Sequence, residues 1–177
     1  QVNSYNFLEQ SFASVTGLPD GGFIATWQSQ GQDGSGWGVF AQRFDADGNA
    51  VSRDGVTPGA DEIQVNATLA GDQFGPVITT VLADGSWVSA WIANDSDDTG
   101  IFAQRFDANG AAVGGEFQVN TSEGGTQYPA TITALTGGGF VVSWQGPDIS
   151  GSGIFAQQYD ANGTPVGIEF RANTHDA

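Results

Sequence analysis

The chain contains no cysteine, no methionine and no lysine, and its one histidine, His175, stands near the end. Without cysteine there is no disulfide frame, no thiolate metal site and no cysteine nucleophile. Without lysine, the basic side chains reduce to Arg43, Arg53, Arg105 and Arg171, against twenty acids, for a formal net charge of −16. Such a chain repels phosphate backbones and anionic lipid, so nucleic acid is excluded as a partner. No apolar run reaches the ~20 residues of a membrane-spanning helix, and no membrane insertion is expected. The absent initiating methionine indicates a chain processed or excised from something longer. No Ser/His/Asp set, phosphate loop or HExxH motif occurs, and the expectation is that the protein is not an enzyme.

What is present is aromatic, β-branched and rich in glycine. Twelve Phe, five Trp and many Val and Ile suit half-buried strands, while the 27 Gly fall mainly between the apolar runs. A repeat organises them. Phe40-Ala-Gln-Arg-Phe-Asp45 recurs at 102–107 and, with Gln-Tyr for Arg-Phe, at 155–160. Gln-Val-Asn closes at Asn3, Asn66 and Asn120, with a degenerate Arg-Ala-Asn ending at Asn173, so the spacings are 63, 54 and 53 residues. The longer first interval holds an insertion placed at Ser52–Asp61.

Each unit divides into four strands. The first is typified by Pro129–Leu135 and the second by Gly139–Gln145, where Phe140, Val142 and Trp144 alternate with Val141, Ser143 and Gln145. The third is the Phe-Ala-Gln-Arg-Phe stretch, and the fourth the Glu116–Asn120 type. Asp-Gly and Asn-Gly turns at Pro19–Gly22, Asp45–Gly48 and their counterparts favour tight hairpins. The predicted fold is all-β: tandem four-stranded antiparallel blades over 4–66, 67–120 and 121–173, β-propeller-like, with 1–3 a leftover strand from a preceding unit. Three blades do not close an ordinary ring. A slice of a longer propeller, completion by self-association with copies of the chain, and a stacked solenoid all fit.

The loop between second and third strands carries the candidate chemistry. Aligned on its final glycine, it reads Asp33-Gly-Ser35-Gly-Trp37-Gly38, Asp95-Ser-Asp97-Asp98-Thr99-Gly100 and Asp148-Ile-Ser150-Gly-Ser152-Gly153. Oxygen-bearing residues at alternate positions with glycine at the sixth resemble part of a calcium loop, so Ca2+ is the expected cofactor. The bidentate Glu of an EF-hand is missing: Phe106 stands twelfth from Asp95. Asp and Ser capping backbone N–H groups in a solvated loop account for the same residues. The Asp-Ala-Asn-Gly turns need no metal. Trp27, Trp91 and Trp144 lie in register with core positions, whereas Trp37 has no counterpart and is the candidate ligand-facing aromatic. Arg43 and Arg105 are expected to pair with repeat acids such as Glu116.

The repeat, through Gln32–Gly36, Phe40–Asp45, Asp107–Gly110 and Glu116–Thr121, resembles the units of about 50 residues in very large bacterial secreted proteins of the hemolysin-type calcium-binding, RTX-like and adhesin kind. The resemblance covers all three units. It implies a secreted or cell-surface location, a non-catalytic role and calcium dependence, although the Gly-Gly-x-Gly-x-Asp nonapeptide of the RTX β-roll is absent. The functional expectation is therefore a calcium-stabilised binding or structural module for adhesion or extracellular assembly. Its partners would be itself, glycans or the cell-surface matrix. A multivalent lectin is the alternative, and a propeller fragment of a hydrolase is the third reading.

Overall fold

Segments that alternate with period two become strands, and the glycine-bearing segments between them become turns. The computed structural model describes residues 2–52, 61–96, 98–121, 124–149 and 151–174. Unit one comprises β1 (Gln10–Gly17), β2 (Phe23–Gln30), β3 (Trp37–Phe44), β4 (Ala50–Val51) and β5 (Ile63–Gln64). Unit two comprises β6 (Gln73–Val81), β7 (Trp87–Asn94), β8 (Thr99–Phe106) and β9 (Ala112–Gln118). Unit three comprises β10 (Tyr128–Ala134), β11 (Phe140–Asp148), β12 (Gly151–Tyr159) and β13 (Pro165–Arg171). Each unit is a separate antiparallel sheet in which neighbours in sequence are neighbours in space, save that β5 pairs with β3. The propeller-like blade architecture expected from the repeat is present.

The strand count has a different origin from the expected one. Val2 and Asn3 lie outside the strands; the fourth strand of unit one is instead split into β4 and β5, both paired with β3. The insertion that separates them falls largely at 53–60, outside the described residues. Asn3 reproduces the side-chain part of the motif without a ladder. Its Nδ2 donates to Gln10 Oε1 at 2.9 Å, as Asn66 Nδ2 donates to Gln73 Oε1 at 2.8 Å.

The turns satisfy their own backbone. Asp45 Oδ1 accepts the N–H groups of Asp47 and Asn49, Asp107 Oδ1 those of Asn109 and Ala111, and Asp160 Oδ1 those of Asn162 and Thr164. The glycine that follows takes φ of +82°, +84° and +82° at Gly48, Gly110 and Gly163, a region that costs a side-chain-bearing residue. These bonds hold the Asp45 and Asp160 carboxyls below the usual carboxylate range, through the Asn49 side chain first and the Thr164 backbone first, respectively. No cation is needed to explain them.

Packing between blades is directional. Alternation gives each blade one aromatic face and one mainly aliphatic face. On the aromatic face a cross-strand pair stacks in every unit: Phe23 on Phe44 at 4.8 Å, Trp87 on Phe106 at 4.0 Å, Phe140 on Tyr159 at 4.9 Å. Trp87, Trp91 and Phe106 of unit two pack against Ile24, Val39, Ile63 and Val65 of unit one. Phe140, Trp144 and Tyr159 of unit three pack in the same way against Val88, Ile92, Ile101 and Val119 of unit two. Trp27, Trp91 and Trp144 are all buried, as their register implies.

The glutamine of the Phe-Ala-Gln motif ties on the outermost strand. Gln42 Nε2 donates to the carbonyls of Arg43 and Val51, Gln104 Nε2 to those of Arg105 and Val113, and Gln157 Nε2 to those of Gln158 and Val166. In units two and three the ladder slips at this point, so the amide bridges a bulge. The innermost strands β1, β6 and β10 lie side by side, with Thr16 Oγ1 donating to Thr79 O at 2.7 Å.

Candidate functional site at the loop end of the blades

Antiparallel order puts the turns β1–β2 and β3–β4, with their equivalents, at one end of the blades. The β2–β3 loops and the connections between units lie at the other. At the turn end, β1, β6 and β10 converge on a cavity of 490 Å³ lined by Leu18, Val81, Leu82, Leu135 and neighbours, with no ionisable side chain in its wall. Arg43 there pairs with Asp20 at 2.5 Å, and Arg105 donates to the carbonyl of Asn162 at 2.7 Å. These partners replace the expected one, because Glu116 is spent elsewhere. The loop end carries the three repeated loop aspartates.

The three loop aspartates occupy one repeated arrangement. Each carboxylate lies over the glycine that opens the third strand: a Cβ on Gly38, Gly100 or Gly153 would meet Asp33, Asp95 or Asp148 Oδ2 at 2.6, 2.7 or 2.8 Å. Glycine stands there to admit the carboxylate, at a strand position rather than at the sharp turn of a metal loop. One residue on, the N–H of Val39, Ile101 or Ile154 donates at 2.8 Å to Oδ1 of Asn66, Asn120 or Asn173. That is the role of the asparagine closing each Gln-Val-Asn motif.

The described side chains of these loops already have partners within the protein. Asp33 Oδ1 accepts the Ser35 N–H and hydroxyl. Asp95 accepts Gln118 Nε2 at 3.1 Å and the Asp98 N–H at 3.0 Å. In unit three Asp148 pairs with the Arg171 guanidinium at 2.8 Å, so a side-chain cation already serves this carboxylate. Asp98 Oδ2 accepts the Thr126 hydroxyl, Thr99 Oγ1 donates to Gln127 O at 3.2 Å, and Ser152 Oγ meets Gln145 Nε2 at 3.4 Å. No group of three metal-ligating side chains forms among the described residues. Asp97 and Ser150 lie outside them.

Glu62, Glu116 and Glu169 form a second repeated set, and Glu116 and Glu169 join successive units. Glu116 Oε2 accepts the N–H groups of Ala67, at 2.7 Å, and Thr68, and Glu169 Oε2 accepts the N–H and hydroxyl of Thr121. Glu62 holds the Ser4 N–H in the same way and also takes Gln32 Nε2. Each glutamate thus grips the residue after the asparagine of the preceding motif. The signal that could have found it is its constant place two residues before the Gln or Arg of that motif.

The loop end also presents aromatic surface. Phe12, in the innermost strand β1, is 58 % exposed and has φ +53°, left-handed backbone that a phenylalanine adopts only at a cost. Tyr128, at the start of innermost β10, is exposed; so is Phe7, which meets Tyr5 edge-on at 5.7 Å. Trp37 is half-buried at the start of β3, with its N–H donating to Asp72 Oδ1 at 3.0 Å. Asp72 and Asp98 are exposed carboxylates at this end.

No protein-family model matches the sequence. No curated protein matches it. Solved structures do. An endo-arabinase from Bacteroides thetaiotaomicron VPI-5482 is similar at TM-score 0.54 and 14 % identity, over 91 % of this chain and 57 % of that one. An N-acetylgalactosamine deacetylase from F. plautii, solved with blood group B trisaccharide, gives 0.55 and 12 % identity over 93 % and 54 %. Zg3597, a family 117 glycoside hydrolase from Zobellia galactanivorans, gives 0.51 and 7 % identity over 91 % and 56 %. The chain therefore spans little more than half the length of these neighbours.

At such identities the likeness is one of fold, and it corrects two expectations. Non-catalytic adhesion was implied by the resemblance of the repeat to units of bacterial adhesin-type proteins, together with the lack of a familiar catalytic motif. The same blade arrangement is the scaffold of carbohydrate-acting enzymes whose sequences have little in common with this one. Neither the structural adhesion module nor the exclusion of an enzyme stands.

Proposed function

We propose that these three blades belong to a carbohydrate-active propeller enzyme and form part of its saccharide-facing surface at the loop end. The observation that carries the reading is Phe12. An aromatic ring is held towards solvent on an innermost strand by left-handed backbone, and strain of this kind clusters where a ligand is engaged. Tyr128 and Trp37 extend the aromatic surface, and apolar rings with a few placed polar groups suit the mixed faces of a sugar. The three named enzymes supply the substrate class. β1, β6 and β10 contain no Asp or Glu, so the reacting carboxylates lie off these innermost strands, and Asp72 and Asp98 are this chain's candidates.

The test is retardation of the full chain in gels containing arabinan or a polymer bearing N-acetylgalactosamine, with assays for released reducing ends and acetate. Retardation by at least one polysaccharide is expected, and Phe12→Gly should weaken it without lowering the melting midpoint, because glycine relieves the backbone. Asp72→Asn or Asp98→Asn should reduce any turnover. Absence of both retardation and product across the panel would overturn the proposal.

A further inference from the structure

Positions that are sealed in the first two units stand open in the third. Val39 and Ile101 are 0 % exposed, whereas Ile154, at the same place in the repeat, is 42 % exposed. Ile63 is 4 % exposed and Phe117 is half-buried against Tyr159 at 5.3 Å, whereas Phe170, their counterpart, is 50 % exposed. In units one and two the cover is the aromatic face of the following blade. A glutamate of that blade also grips the backbone after Asn66 and after Asn120. Thr174, after Asn173, holds the position that Ala67 and Thr121 hold in those grips, and Asn173 already makes its bond to the Ile154 N–H.

We infer that the Ile154–Phe170 face of unit three is a docking surface for one further four-stranded blade of this repeat. That blade presents a Trp/Phe aromatic face and, two residues before its own Gln or Arg, a glutamate that accepts the Thr174 N–H. The chemistry continues two interfaces already inside the molecule. A second copy of the chain does not supply it, because the aromatic face of its unit one is already buried: Trp27, Phe40 and Phe44 are 4 %, 4 % and 6 % exposed. The formal charge of −16 also opposes the approach of two copies.

The experiment extends the full chain by a second copy of residues 121–173 placed directly after Asn173. The extended chain should unfold in one transition, with a midpoint raised by roughly 5 °C or more. Phe170→Asp in the original third unit should abolish that gain while leaving the unextended chain's midpoint within about 2 °C, as befits an exposed site. A thiol introduced as Ile154→Cys, alone in a cysteine-free chain, gives an independent readout. Its labelling should slow about tenfold or more in the extended chain, as burial against a blade requires. A separate transition for the added unit, or equal labelling in both chains, overturns the inference. Concentration-dependent protection of the thiol in the unextended chain also overturns it, in favour of self-association.

Discussion

Units two and three share nearly the same third strand, Gly-Ile-Phe-Ala-Gln-Arg-Phe-Asp against Gly-Ile-Phe-Ala-Gln-Gln-Tyr-Asp, and experience opposite surroundings. Ile101 is sealed and Ile154 is open. The repeat therefore encodes half of an interface, and burial depends on what the next unit brings. Its chemistry also drifts between the two. Asp95 is served by a neutral amide, Gln118, while Asp148 is served by a guanidinium, Arg171. Phe106 becomes Tyr159, whose ring still stacks in the same place.

The largest expected effect tests burial itself. Ile101→Ala should cost about 2–5 kcal/mol in denaturant melts, and Ile154→Ala less than about 1 kcal/mol, because only the first leaves a cavity. Equal costs would erase the distinction between the two units.

Next is the carboxylate clamp. Asp148→Asn removes the charge facing the Arg171 guanidinium, which keeps its bond to Asn173 Oδ1, and should cost about 1.5–3 kcal/mol. Asp95→Asn, whose new side chain can still accept from Gln118, should cost about 1 kcal/mol or less. Arg171→Gln in the Asp148→Asn background should recover part of the loss. Failure of that rescue would show that the ion pair does not set the difference.

Tyr159 sharpens the comparison through pH. Burial first, and the nearby Glu169 carboxylate second, push its phenol up to about 12 from the ordinary 10.0. A folded-state value above the unfolded one stabilises fully below pH about 10 and loses that contribution as pH rises through about 12. The melting midpoint should fall across this window, and Tyr159→Phe, which makes unit three like unit two, should flatten the fall. The smallest expected effect concerns calcium. Calcium or chelator should leave the midpoint unchanged in both units, since a ligand specific for the folded state must raise it. A calcium-dependent rise abolished by Asp95→Ala would restore the metal reading for unit two.

Much of the fold was legible because its determinants are local. Alternation in Phe140–Gln145 and the Asp-Ala-Asn-Gly turns each act within a few residues. The loop aspartates were legible as a pattern but their protein partners were not. The Asp95–Gly100 spacing resembles a cation loop, and nothing near it signals that Gln118, 23 residues further on, donates to Asp95. Glu116 was misassigned for the same reason, since its partners at Ala67 and Thr68 belong to another unit. The split of β4 from β5 could not be seen either, because it depends on both pieces returning to β3. Nothing in the sequence marks Phe12 for left-handed backbone, which Gly, Asn or Asp would have signalled.

The two unlike faces of each blade also bear on inheritance. A duplication or deletion of one whole period rejoins an aromatic face to an aliphatic one and a glutamate to a waiting N–H, so the joint it creates is one the fold already contains. A crossover between non-equivalent points of the period would bring mismatched halves together. Genes for such chains can therefore gain or lose whole units by unequal crossing-over while every surviving seam stays intact.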